Sequence, residues 1–304
     1  MRMAVCGGTG FIGSALVSYW LQEGHEVIIV TRQIPTADRK SSASAPRYIT
    51  WEELESSPEV MEGLDALVNL AGSSLNQRWT EKGKQRILSS RLNSVRAIAV
   101  LINKLQKKPA VIVQGSAVGI YGTSRSEEFD ENSPTSKQDF LSDVALKWEH
   151  EAASMVHSAV RIVTLRTGVV IGNEGGAYPL MRLPFLLGFG GRVGSGQQWM
   201  SWIHLHDIVR LIDYAVMNPA ITGPLNAVSP TPVMNDEFGR TIAKILGRPY
   251  WLPLPALLLK IALGEQATLL LDGQRVLPRR ALEQGFTFQF PTLIEAVTDL
   301  KRHK

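Results

Sequence analysis

One cysteine, Cys6, is too few for an internal disulfide and fits a reducing compartment. Long apolar runs are missing as well. The most apolar stretch, Trp251 to Leu271, is interrupted by Pro253, Pro255, Lys260, Gly264 and Glu265. No run therefore reaches the roughly 20 residues of a membrane helix, and the stretch reads as a core-facing helix. Neither sign of charge dominates: 32 Lys and Arg against 28 Asp and Glu leave a formal +4. That small excess is scattered or sits in Lys301-Arg302-His303-Lys304. It forms no basic stripe interleaved with aromatics, so nucleic acid is not an expected partner. The chain opens on a strand pattern, Met3-Ala4-Val5-Cys6, and neither a signal peptide nor a membrane association is expected. A cytoplasmic protein is the default. With 44% hydrophobic and 20% charged residues, the disordered and fibrous classes drop out. A length of 304 residues suits one large domain or two fused lobes.

Strand-like and helix-like segments alternate through the first half. Met3 to Cys6 predicts a buried strand, followed by a glycine turn and a helix from about Phe11 to Leu21, with Gly24 placed to end it. Glu26 to Thr31 is a second strand rich in β-branched residues, Arg47 to Trp51 a weaker third, Ala66 to Ala71 a fourth and Val111 to Gln114 a fifth. A long helix ending near Leu105 separates the last two, and Ile162 to Leu165 is a further strand. Lys40 to Pro46 reads as a surface loop. After Gly172 glycines and prolines crowd the chain. The pattern predicts an α/β protein: a Rossmann-type doubly wound parallel sheet with a smaller, mostly C-terminal α/β substrate lobe. Residues 1–172 would form the first unit, with a return of chain at about 200–228; residues 173–199 and 229–304 would form the second. The pocket is expected at the C-terminal ends of the strands, between the lobes.

The sharpest local signal is Gly7-Gly8-Thr9-Gly10-Phe11-Ile12-Gly13, with a strand before it and a helix after. Gly7 permits the tight turn, Gly10 a close approach of backbone to a pyrophosphate, and Gly13 close packing of helix on sheet. The phosphates would meet free N–H groups at the helix N-terminus. The plain alternative is a turn that needs glycine for packing alone. Dinucleotide choice is read at the end of the second strand, where an acid holds the ribose 2′-OH of NAD. Thr31-Arg32 stands there instead, with Arg39 and Lys40 nearby. A guanidinium engages a 2′-phosphate through two parallel bonds, so the expected cofactor is NADP(H). A solvated surface arginine is the competing explanation.

Further motifs lie in order along the chain: Asn69-Leu70-Ala71-Gly72, Gly115-Ser116-Ala117 leading to Ile120-Tyr121-Gly122, Arg166 to Gly172, Trp202 to Asp207, and Leu225-Asn226. With the glycine turn they resemble the extended short-chain dehydrogenase/reductases, the NAD(P)-dependent epimerase/dehydratase family. Thr31-Arg32, Lys147-Trp148-Glu149, the Gly188 to Gly196 run and Gly273 to Pro278 resemble its branch of YfcH-type "epimerase family proteins". By that resemblance Gly7, Gly10, Phe11 and Ile12 hold the pyrophosphate, and Thr31 and Arg32 the adenosine phosphate. Leu70 and Ala71 lie along the adenosine, Arg91 reaches the cofactor from the other side, and Val169 packs near the nicotinamide. The family is expected to act on a small polar substrate, a nucleotide sugar for example, and to dimerise through the helices after the fourth and fifth strands.

One departure stands out. The family's tyrosine and lysine, spaced YxxxK, precede a helix glutamate by eight and four residues. If Glu149 is that glutamate, Leu141 and Ala145 occupy their positions, and no tyrosine lies between Tyr121 and Tyr178. Ser116 remains for the family's serine role, with Tyr121 and Lys147 as substitute acid/base candidates. Acid–base catalysis contributes roughly 10²–10⁴ in rate. Three functions therefore stand: an epimerase/dehydratase-like oxidoreductase using NADP(H), a non-catalytic NADP(H)-binding protein that senses redox state, or a lyase or isomerase that uses the bound cofactor structurally. His204 and His206 share a strand face, but no further ligands accompany them, so no metal is expected and Asp207 is read as a helix cap. Glu127, Glu128, Asp130 and Glu131 read as a solvated run, and Trp199 and Trp202 either as a pocket wall or as core.

Overall fold

The computed structural model describes residues 1–35, 45–153, 155 and 160–303. Arg39, Lys40 and most of the expected surface loop lie outside the described residues. Apolar, β-branched runs form β1 (Arg2–Cys6) and β2 (Glu26–Thr31), joined by α1 (Phe11–Gln22). β3 (Arg47–Thr50) stops one residue short of the expected Trp51, because Thr50 and Glu53 form a capping box that starts α2 (Trp51–Ser56). There follow β4 (Ala66–Asn69), α3 (Glu81–Lys104), β5 (Val111–Ala117), β6 (Glu128–Phe129), α4 (Phe140–Ala153) and β7 (Arg161–Thr167). The second half contains β8 (Val169–Ile171), α5 (Tyr178–Leu186), β9 (Trp199–Met200), β10 (Trp202–His204), α6 (Leu205–Met217) and β11 (Gly223–Ala227). The chain ends through β12 (Val233–Met234), α7 (Asn235–Leu246), α8 (Ala256–Leu263), α9 (Thr268–Leu271), β13 (Arg275–Val276), α10 (Arg279–Glu283) and α11 (Leu293–Arg302).

Among the described residues, seven strands make one sheet in the order β11-β7-β5-β4-β1-β2-β3, every neighbouring pair parallel. Alternation along each strand divides the core. Met3, Val5, Val27 and Ile29 join Leu16 and Trp20 of α1 and Ile208 and Ile212 of α6 on one face. Ala4, Cys6, Ile28 and Val30 join Ile98 of α3 and Trp148 of α4 on the other. Helices cover both faces, which is why the strands read as nearly continuous apolar runs. This is the doubly wound, Rossmann-like α/β fold. The order of strands reverses between β1 and β4, so a crevice opens at their C-terminal ends.

A third cluster, including Tyr178, Phe185, Trp202, Phe238, Ile242 and Val297, unites α5, α7 and α11. The chain after residue 229 is not wholly a separate lobe, since Ala281, Phe286 and Phe288 pack into the core beneath the sheet. Trp202 is core rather than pocket wall; it is fully buried and its Nε1–H donates to the Thr231 carbonyl. The expectation of a core-facing helix in 251–271 is overturned. In α8 only Leu259 is buried, while Leu257, Leu258 and Ile261 are exposed. Composition signals that a segment is apolar, but only neighbours bury it. Among the described residues no helix is long and apolar enough to cross a membrane.

Two further expectations change. His204, not Asp207, caps α6: its Nδ1 accepts the His206 N–H at 3.2 Å. Asp207 sits in the first turn, fully buried, and accepts the N–H groups of Gln289 at 2.7 Å and Phe290 at 2.9 Å. The acidic run is not a solvated face throughout. Glu131 is buried, accepts the Asn226 and Arg280 N–H groups, and burial raises its pKa.

Candidate functional site

The glycine turn joins β1 to α1 at the edge where the strand order reverses. Gly7 has φ +83°, and a Cβ there would stand 2.9 Å from the carbonyl of Leu70. A Cβ on Gly13 would collide with the Gly7 carbonyl oxygen, so glycine is what lets α1 lie against the turn. Gly10 is the N-cap of α1, offers no side-chain cap, and is exposed. No acid occupies the first turn. The amides of Phe11, Ile12 and Gly13 therefore open the helix without an intrahelical partner, at its positive end. The Phe11 ring packs beneath Gly172, Gly175 and Gly176, which leaves its backbone to face the crevice.

Around that turn the structure brings together most of the expected cofactor residues. Thr31 ends β2, buried, its hydroxyl donating to the Gln33 carbonyl at 3.1 Å. Arg32 follows, exposed, and makes no ion pair with a described residue. Leu70 and Ala71 continue β4, half-buried; the Leu70 N–H donates to Cys6 and the Ala71 N–H to the Asn69 side chain. Arg91 reaches over from α3, its Nη1 donating to the carbonyls of Ser73 at 3.1 Å and Ile87 at 2.9 Å, with its guanidinium 5.1 Å from the Trp148 ring. Burial, with no carboxylate beside it, pulls Arg91 down to about 10. Val169 begins β8, half-buried, pairing with Trp202.

These observations form a coherent test of fit for a dinucleotide. A cradle that a Cβ would fill, an uncapped helix start, an exposed cation and a half-buried cation without an acid all favour an anionic, extended ligand. Beside Arg91, the buried Trp148 Nε1–H has no hydrogen-bond partner. Among the described residues no cluster of three His, Cys, Asp or Glu could hold a metal.

Farther along the same edge, Ser116 is buried on β5 and its hydroxyl donates to Glu149 Oε1 of α4 at 2.6 Å. Glu149 in turn takes two bonds from Arg166 of β7, each 2.9 Å. Burial alone would lower the Arg166 pKa, but the hydrogen bonds and charge of Glu149 hold it above the usual arginine value. Arg166 Nη1 also donates to the Tyr121 hydroxyl at 2.9 Å, and that hydroxyl donates to Asn226 Oδ1 at 2.8 Å. Tyr121 reaches this group because Val118–Tyr121 is a single 3-10 turn that breaks the strand alternation after Ser116. It is buried, stacked on Phe129, and burial raises its pKa.

Lys147 is not brought into this group; it is half exposed and paired with Asp143 one turn away, at 2.7 Å. Ala145 is buried among Val118, Ile120 and Tyr121. The sequence reading missed Arg166 and Asn226 as partners of Tyr121, and Glu149 as partner of Ser116. Nothing local signals these contacts, which join residues 33 to 105 positions apart.

Residues 3–226 match the NAD dependent epimerase/dehydratase family, and residues 254–300 match a domain of unknown function (DUF1731). The chain is 44% identical over 301 residues to the epimerase family protein YfhF of Bacillus subtilis, covering 99% of this chain and 98% of that protein. It is 41% identical over 301 residues to the chloroplastic SDR39U1 homologue of Arabidopsis thaliana, covering 98% of this chain and 86% of that one. The crystal structure of human epimerase family protein SDR39U1 (isoform 2) with NADPH is similar with a TM-score of 0.92 and 39% identity, over 100% of both chains.

Proposed function

The chain belongs to the NAD dependent epimerase/dehydratase family, and from that premise we propose that it binds NADP(H) and acts as an oxidoreductase of epimerase/dehydratase type on a small polar substrate, such as a nucleotide sugar. The observation that carries the cofactor choice is Arg32: an exposed guanidinium at the end of β2, beside an uncapped helix start, with no acid in the place of the NAD ribose ligand. The NADPH in the related human structure supports the same choice.

In this reading the turn at Gly7 and Gly10 and the free amides of Phe11 and Ile12 take the pyrophosphate, and Thr31 and Arg32 the 2′-phosphate. Leu70, Ala71 and Arg91 line the adenosine and phosphate path, and Val169 borders the nicotinamide. The bound cofactor would supply or accept a hydride. Of the three candidate catalytic groups the geometry favours Ser116, whose hydroxyl donates its hydrogen bond to Glu149 and keeps lone pairs to accept from a substrate hydroxyl. Tyr121 is enclosed by Arg166 and Asn226, and Lys147 points to Asp143.

A second reading rests on that same arrangement. Reading Ala145, packed in an apolar cluster, as the family's lysine position leaves the usual proton pair without an equivalent and supports an NADP(H)-binding redox sensor. Calorimetry tests the premise common to both: Arg32→Ala should weaken NADPH binding roughly 10- to 100-fold, the worth of one or two charge-assisted bonds, and leave NADH nearly unchanged. Equal losses for both dinucleotides would refute the role of Arg32. Turnover of NADPH against a panel of carbonyl compounds separates the enzyme from the sensor.

A further inference from the structure

Residues 73–80 follow β4 at the edge of the crevice and form neither helix nor strand, and none of them is buried. The Leu75 carbonyl accepts two bonds, from the Trp79 indole N–H at 3.2 Å and from the Gln266 side-chain N–H at 3.1 Å. Trp79 stands edge-on to Phe140, the first residue of α4, with ring centroids 5.2 Å apart. Lys84, near the start of α3, lies 5.4 Å from the same ring and pairs with Glu265. Within α3 itself the nearest acid, Glu81, is 4.0 Å away. A lysine at that end opposes the helix dipole, so an acid from outside α3 is what suits it. Glu265 and Gln266 come from the C-terminal part of the chain. Gly264 ends α8 at φ +59°, a turn that favours glycine, and the two residues follow it. Just beyond them the chain is fixed. Gln198 donates to the Leu270 carbonyl at 2.7 Å, the Ser124 N–H to Gly273 at 3.1 Å and the Ser201 hydroxyl to Gln274 at 2.8 Å.

We propose that residues 73–80 are a flap over the crevice and that Glu265 and Gln266 are its catch, which rests on NADP(H) binding there as proposed above. Gln266 grips the flap at Leu75, and the Glu265–Lys84 pair holds Gln266 within reach. The flap continues directly from Leu70 and Ala71, so it stands where a dinucleotide enters the crevice. The catch is built to release. The Glu265 side chain is 46% exposed, and an ion pair open to water is weak. One neutral hydrogen bond adds about as little. Opening therefore costs little, while the sheet and α3 stay folded. Elements with few buried contacts are the ones that open first, and a lid at the mouth of a site sets how fast ligand enters and leaves. The segment of unknown function, residues 254–300, thereby acquires a task at the crevice.

Stopped-flow NADPH fluorescence with the full chain measures association and dissociation separately. Lys84→Glu and Glu265→Lys should each raise both rate constants about three- to tenfold and leave the dissociation constant within about twofold. The two substitutions change net charge in opposite directions. Attraction of an anionic dinucleotide would drive their association rates apart, whereas a freed flap drives them together. The double swap, Lys84→Glu with Glu265→Lys, should restore the native rates. Without ligand, amide hydrogen exchange across residues 73–80 should quicken in each single variant and return to native in the double. Single variants with native rates and native exchange would overturn the flap, as would faster rates that the double swap leaves uncorrected. A weakened dissociation constant with association untouched would mark direct ligand contact and overturn it equally. A native chain that binds no NADPH would refute the cofactor reading instead, and the exchange measurement would still decide whether the catch holds the flap.

Discussion

Glu149 shows how much one side chain can hold. Its carboxylate takes the Ser116 hydroxyl and both arms of Arg166, whose side chain is only 6% exposed. Removing the negative charge leaves a buried guanidinium uncompensated, the costly way to break an ion pair. Glu149→Gln should therefore destabilise the fold by about 3 kcal/mol in urea unfolding; a loss below about 1 kcal/mol would mean that water reaches Arg166. At this scale the sequence was partly legible. The turn at Gly7, Gly10 as the start of α1, and the place of Arg32 after β2 were legible because a sharp turn and a strand end are local features. Ser116 and Glu149 could be named but not paired. Their contact depends on how α4 lies across β5, and no spacing encodes that.

Among the elements, α6 has a titrating start. His204 caps it through Nδ1, while its Nε2 is buried without a hydrogen-bond partner. Asp299 lies 3.5 Å from that nitrogen, outside bonding geometry, so burial outweighs its attraction and, with the neighbouring His206, lowers His204 to about 4. The unfolded chain then binds this proton first as the pH falls. Stability should be lost between about 6.5 and 4, by about 3 kcal/mol, and level off below. His204→Asn keeps a capping acceptor and should remove this part of the loss. Urea melts of both proteins from pH 7 to 4 measure the difference; parallel curves would refute the assignment. Elements with strong periodicity or flanking glycine were readable before the fold was seen, β1, α1 and β2 above all. α8 was not. A helix apolar on nearly all sides reads as core whether the partner is its own sheet or another molecule.

For the whole molecule, ligand binding and folding are linked, since the crevice between β1 and β4 exists only in the folded chain. NADPH at a hundred times its dissociation constant should add about 2.7 kcal/mol of stability. The unfolding midpoint should rise with NADPH and much less with equal NADH, which a thermal melt can follow. No shift with either would undo the cofactor assignment. The succession of strands along the chain and the glycine turn after β1 were already contained in the sequence, because β-branching and glycine placement act within a few residues of one another. The Ser116–Glu149–Arg166–Tyr121–Asn226 network, the return of Phe286 and Phe288 to the main core, and the exposure of α8 were decided only by tertiary packing. These depend on which distant surfaces meet, and burial is a property of the neighbours rather than of the residue.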